Sequence, residues 1–166
     1  MASLIKKSSG ALPFSREQAF DLAADIESYP SFLPGWISAR IQKRESNVCW
    51  VDQVVGFGPI QLPFTSRAVM HRPERIEVAS TQAPFRQFSL TWLFEAVPPN
   101  GCRVSVVAQI QTESGLIQHL IDRILPSAID EVIAAFEARL EGAGAAAAAG
   151  RREQLSRCDS TRSPPP

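Results

Sequence analysis

The sequence predicts an α+β domain in which helices cover one face of an antiparallel sheet. Three observations carry that expectation. Apolar residues recur at helical spacing before residue 27, a long stretch from Trp36 to Thr112 alternates with period two, and helical spacing returns between Leu116 and Leu140. A chain of 166 residues can bury one core, and its apolar content of 45% is ordinary for a globular protein.

The elements follow in order. Ser15 stands as an N-cap with Gln18 at the capping-box position, and Ala19, Phe20, Leu22, Ala23 and Ile26 form the stripe of a helix expected over Arg16–Glu27. The next segment, Asp25 to Trp36 (DIESYPSFLPGW), sets Tyr29, Phe32, Leu33 and Trp36 among two prolines and a glycine. Pro30 biases Ser28 and Tyr29 away from regular helix, and Pro34-Gly35 reads as a turn. Large apolar side chains on such a bent connector either plug one end of a core or form the lip of an apolar cavity.

Half-buried antiparallel strands come next. Ile37, Ala39 and Ile41 alternate with Ser38, Arg40 and Gln42, and Leu62, Phe64, Ser66, Ala68 and Met70 alternate with Pro63, Thr65, Arg67, Val69 and His71. Phe88, Leu90, Trp92 and Phe94 precede the turn Pro98-Pro99-Asn100-Gly101, and Cys102, Val104, Val106, Ala108 and Ile110 follow it, which predicts a hairpin. A long helix then closes the domain. Its apolar sets, 116, 117, 120, 121, 124 and 125, then 129, 132, 133, 136 and 140, are out of phase by one position with Pro126 between them. That pattern predicts a kink or short break. About 25 residues at about 1.5 Å each span nearly 40 Å, enough to lie along a whole sheet.

Beyond Glu141 the chain becomes Ala-, Arg- and Pro-rich, and residues 142–166 are expected to form a disordered tail. The 17 Lys and Arg equal the 17 Asp and Glu, so there is no broad basic field of the kind that holds DNA. Cys49, Cys102 and Cys158 lack metal-ligand spacing, and the two in strand-like segments, Cys49 and Cys102, read as reduced, buried thiols. No apolar run approaches the ~18 residues of a bilayer span, and the start MASLIKKSSGAL lacks a signal-peptide pattern. The expected location is cytoplasmic, with transient contact at the inner face of the membrane.

Catalysis by a hydrolase or metal enzyme needs a nucleophile with its base, or a His, Cys and carboxylate cluster. Neither is visible. His71, His119, Asp130 and Glu131 fall off the apolar stripes, Glu77 and Glu95 lie on the polar phase of their strands, and no phosphate, zinc or dinucleotide motif occurs. The chain therefore reads as a binding module, not an enzyme, with no catalytic cofactor and an apolar working surface.

Six segments, FSREQAFDLAADIE, YPSFLPGW, VGFGPIQLPFTSR (Val55 to Arg67), APFRQFSLTWLFE (Ala83 to Glu95), CRVSVVAQIQTESGLIQHL (Cys102 to Leu120) and AAFEARL (Ala134 to Leu140), occur in an order that carries a resemblance. Over about residues 3–141 the chain resembles the coenzyme Q-binding proteins of the START-like superfamily and their bacterial relatives, the ribosome association toxins. One departure is Trp36, which stands where those proteins usually carry a cysteine.

The resemblance implies a helix-grip fold, a curved antiparallel sheet wrapped around the C-terminal helix with a hydrophobic tunnel between them, in a domain over 3–141. It implies walls from Ile37, Leu62, Phe64, Phe88, Leu90 and Trp92 of the sheet and Ile121, Ile124, Ile129 and Val132 of the helix. Tyr29, Phe32, Leu33, Trp36 and Phe85 would form the entrance. Each of these is equally a good core residue, so the pattern alone describes a filled core as well as a cavity wall. The implied ligand is ubiquinone or a similar isoprenoid lipid, and the implied role is that of a quinone carrier or chaperone serving respiration and ubiquinone biosynthesis. The alternative partner is the large ribosomal subunit, bound so as to block subunit joining, and a polyketide cyclase-like enzyme is a second alternative.

Overall fold

Alternation in the second half of the chain becomes a hairpin of β6 (Phe85–Val97) and β7 (Gly101–Thr112). It pairs Phe88 with Ile110, Leu90 with Ala108, Trp92 with Val106 and Phe94 with Val104, and all eight side chains are buried on one face. This computed structural model describes residues 3–159, with side chains described through residue 144. Five further strands extend the hairpin: β1 (Ser3–Ser8), β2 (Trp36–Glu45), β3 (Val48–Phe57), β4 (Ile60–His71) and β5 (Arg75–Ser80). The result is a seven-stranded, wholly antiparallel sheet in the order β1-β7-β6-β5-β4-β3-β2.

Helix α1 (Arg16–Ala24) begins as the sequence predicts. The Ser15 hydroxyl accepts from the Gln18 N–H at 3.2 Å, and Gln18 Oε1 accepts from the Ser15 N–H at 2.9 Å. It ends three residues earlier than expected, at Asp25 (ψ 68°), and a 3₁₀ turn over Ile26–Ser28 leads into the short α2 (Tyr29–Phe32). Pro30 sits in the first turn of α2, where a missing N–H breaks no helical hydrogen bond.

Helix α3 (Gly115–Asp159) lies across the inner face of the sheet. No break occurs at Pro126. The buried positions are Ile121, Leu125, Ile129, Val132, Ile133, Phe136 and Leu140, a single stripe recurring every three to four residues. The apparent phase change came from counting Leu116, which is 82% exposed, and the half-buried Ile117, Leu120 and Ile124 as core.

Two other expectations need correction. The helix continues through 142–159 instead of giving way to a disordered tail there, and residues 160–166 lie outside the described residues. Alanines have the highest helix propensity and offset the glycines at 142, 144 and 150. Gly144 also meets a packing need, since a Cβ there would come within 2.8 Å of the Phe14 ring. Strand β1 was not anticipated. A six-residue edge strand with two lysines shows little alternation, yet Lys7 pairs with Asp130 at 3.2 Å, and Ser3 hydrogen-bonds both Gln118 and Asp122.

At one end of the core, Trp92 packs on Phe136 with centroids 4.9 Å apart and stacks with Phe94 at 6.4 Å. Phe136→Ala removes the helix's ring from that contact, and chemical denaturation should show a loss of about 3–5 kcal/mol; a loss below about 1 kcal/mol would show that α3 is not seated there.

Candidate functional site

Away from the aromatic end, between α3 and the sheet, is a cavity of about 50 Å³. The connector contributes Pro34, Gly35 and Trp36, and β3 contributes Val55, Gly56 and Phe57. Phe88 and Leu90 of β6 and Ala108 and Ile110 of β7 form the sheet wall. Leu125, Ala128, Ile129 and Val132 of α3 form the wall opposite. Small residues make the space: Gly35, Gly56, Ala108 and Ala128 stand where neighbouring positions on the same elements carry larger side chains.

The connector is held in shape by its backbone. Gly35 has φ +88°, which a residue with a Cβ adopts only with strain, and its carbonyl accepts from the Gly56 N–H at 2.8 Å. A bulge between Trp36 and Ser38 then shifts the phase of β2, so that Trp36 pairs with Val55 and turns inward.

That bulge corrects one predicted wall residue. Ile37 is 46% exposed and stands outside the cavity beside Gly56. Phe88, Leu90, Ile129 and Val132 line the cavity, joined by Trp36 from the predicted entrance. Leu62, Phe64, Trp92 and Ile121 are buried elsewhere in the core, and Ile124 is half-buried beneath Gly58. Phe64, Phe85 and Phe88 form a three-ring cluster with centroids 4.7–5.1 Å apart, so Phe64 and Phe85 stand behind the wall that Phe88 presents.

The predicted entrance is also rearranged. Tyr29, Leu33 and Phe85 are buried, not displayed on a lip: the short α2 turns Tyr29 and Leu33 into the core, Tyr29 onto the Trp92 ring, and Phe85, at the start of β6, packs on Phe64 and Phe88. Phe32 is half-buried with the Arg139 guanidinium 5.3 Å from its ring centre. Of the cavity's lining residues, Pro34 and Gly35 are exposed and Trp36, Gly56 and Ala128 half-buried, which puts the rim at these positions. Among the described residues, Phe88, Leu90 and Trp36 stand between this cavity and a second void of about 10 Å³, so the two spaces are separate where a tunnel was expected.

The second void holds the polar side chains that sequence reasoning missed. Gln53 and Ser66 line it, together with Tyr29, and are 5% and 2% exposed. The Trp36 indole N–H donates to Gln53 Oε1 at 3.1 Å, and Gln53 Nε2 donates to Ser66 Oγ at 2.6 Å. The available signal was a glutamine on the inward phase of Cys49, Val51, Val55 and Phe57. Tyr29 donates to the Ala23 carbonyl. Burial, and then the neighbouring Asp25 charge, push its phenol far above the usual range, so it is a neutral group here.

The model of the polyketide cyclase/dehydrase and lipid transport family matches residues 12–137. The ribosome association toxin RatA of Pseudomonas aeruginosa is 24% identical over 128 residues, covering 77% of this chain and 89% of that protein. The mitochondrial coenzyme Q-binding protein COQ10 of Dictyostelium discoideum is 26% identical over 140 residues, covering 82% and 68%. In structure, the Zhui aromatase/cyclase of Streptomyces sp. R1128 superposes with a TM-score of 0.76 at 12% identity over 85% of this chain and 94% of that one. A START superfamily protein of Mycobacterium smegmatis gives 0.72 at 14% identity, over 84% and 97%. These structural likenesses speak for the fold: a curved antiparallel sheet gripping a long C-terminal helix.

Gly35→Ala forces a Cβ onto a left-handed backbone and loosens the rim. Thermal unfolding should show a destabilisation of about 1–2 kcal/mol; an unchanged melting temperature would mean that the Pro34-Gly35 turn does not hold the connector.

Proposed function

The chain belongs to the polyketide cyclase/dehydrase and lipid transport family, and on that premise we propose that it binds a polyisoprenoid quinone, ubiquinone, between the sheet and α3 and serves as its carrier or chaperone. The observation that carries this reading is the lining of the cavity between α3 and the sheet, which contains no ionisable side chain and is bordered by the Pro34-Gly35 connector. A relative named as a coenzyme Q-binding protein supports the ligand class.

At about 50 Å³ the cavity is smaller than the ~150 Å³ that accommodates benzene in an engineered core, so the ligand must enter by displacing side chains. Opening the rim releases the Gly56 to Gly35 hydrogen bond, worth about 1 kcal/mol net. Each isoprene unit gains roughly 3–4 kcal/mol on leaving water, at ~0.8 per methylene-sized group, and a bilayer offers the same gain. Exchange between membrane and protein is then close to neutral, and the protein has only to offset its own opening. No helix among the described residues is long and apolar enough to cross a bilayer. In this reading the rim meets the cytoplasmic face of the membrane, where Trp36 suits an interface.

The binding reading ranks above a cyclase because proton transfer or nucleophilic attack needs a titratable group against the substrate, and the cavity wall supplies none. A second reading, association with the large ribosomal subunit, draws on the RatA relative. It also draws on the outer face of β2–β4, where the exposed Lys43 and Arg67 flank Trp50 on either side in the sheet and Lys43 lies 5.1 Å from that ring's centre. Under it, sedimentation of a lysate overproducing the chain shows free subunits accumulating at the expense of intact ribosomes; a normal profile rejects it.

Two variants test the lipid reading. Leu90→Glu puts a charge in the cavity wall, and Ala128→Phe fills the space from α3. Both should abolish uptake of ubiquinone from vesicles while circular dichroism remains that of the folded protein. Uptake unchanged in either folded variant would remove this cavity as the lipid site.

A further inference from the structure

Gln53 and Ser66 are expensive residues for a core built of Val51, Val55, Phe88 and Leu90. A buried polar pair of this kind adds little stability, because replacing both partners by apolar groups of like shape is nearly neutral. Its orientation is nonetheless determined. An indole N–H can only donate, so the Gln53 atom facing Trp36 at 3.1 Å is the oxygen and the amide nitrogen faces Ser66 at 2.6 Å. The line of donors therefore runs from Trp36 through Gln53 to Ser66. It leaves two protons free, the second amide hydrogen of Gln53 and the hydroxyl hydrogen of Ser66, since the bond from Gln53 is the only one Ser66's side chain makes among the described residues. Both side chains line the void of about 10 Å³, and that void is separated from the larger cavity by Phe88, Leu90 and Trp36, which line both spaces.

Resting on the lipid-binding reading above, we propose that Gln53 and Ser66 form the head-recognition end of the site: they donate hydrogen bonds to a carbonyl oxygen on the ligand, whose apolar body extends past Phe88 and Leu90 toward the rim at Gly35 and Gly56. The site then selects an apolar molecule with one hydrogen-bond-accepting end over a plain hydrocarbon. Side-chain rotation of Phe88 and Leu90, neighbours on the inward face of β6, joins the two voids into one channel closed at its inner end by these donors.

The test uses two radiolabelled probes partitioned from vesicles into the protein: a benzoquinone with a two-isoprene tail and an oxygen-free hydrocarbon of matched size. The wild-type protein is expected to take up both. Ser66→Ala and Gln53→Leu should each weaken quinone uptake about five- to tenfold, leave hydrocarbon uptake within about twofold, and raise the carbonyl stretching frequency of the bound quinone in the infrared. Equal loss of both probes, or undiminished quinone uptake by both variants, overturns the proposal while the lipid reading stands. Uptake of neither probe by folded wild-type protein rejects the lipid reading itself, and head recognition with it. Ser66→Ala deletes one hydroxyl only and decides the matter if Gln53→Leu does not fold.

Discussion

Helix α3 must lay a single stripe, from Ile121 to Leu140, on the inner face of an antiparallel sheet in which the β6–β7 hairpin supplies a continuous buried row, and the rest of the architecture depends on that contact. At the end where Phe136 meets Trp92 the contact is filled with rings, and α1 adds Phe20 against Phe94 at 5.7 Å. Toward the other end the same helix presents Ala128 and the sheet presents Ala108, so the surfaces cannot close completely. The core thus has a solid end that supplies stability and a loosely filled end that supplies space. Dense packing at one end lets the other tolerate voids, which lose dispersion contacts along their walls.

Most of the fold was legible in residue patterns because burial imposes periodicity. The capping box at Ser15, the inward set Phe88, Leu90, Trp92 and Phe94, and the turn before Cys102 all express local rules and appear as expected. What escaped was set by neighbours. The bulge after Trp36 reversed Ile37, the packing of α2 drew Tyr29 and Leu33 inside, and β1 formed only because β7 offered an edge. Helix α3 ran through Pro126 and past Gly144, since lost hydrogen bonds and low propensity at single residues are outweighed by a continuous buried stripe and, further on, a run of alanines.

The candidate site was legible in character but not in outline. Large apolar residues on inward phases identified Phe88, Leu90, Ile129 and Val132, yet the same signal named Leu62, Phe64, Trp92 and Ile121, which are packed into the core elsewhere. A void depends on what is missing, and here that is set by Gly35, Gly56, Ala108 and Ala128. Gln53 was overlooked because one polar residue on an inward phase looks like noise until its partners, Trp36 and Ser66, are seen beside it.

In the function proposed, the space between α3 and the sheet belongs to an isoprenoid quinone. Extraction of the purified protein, produced in a ubiquinone-making host, with organic solvent and quantification of the extract by mass spectrometry tests it most directly. Ubiquinone is expected in near-equimolar amount with the protein. An extract free of isoprenoid quinone, from protein whose unfolding transition is cooperative, would contradict it.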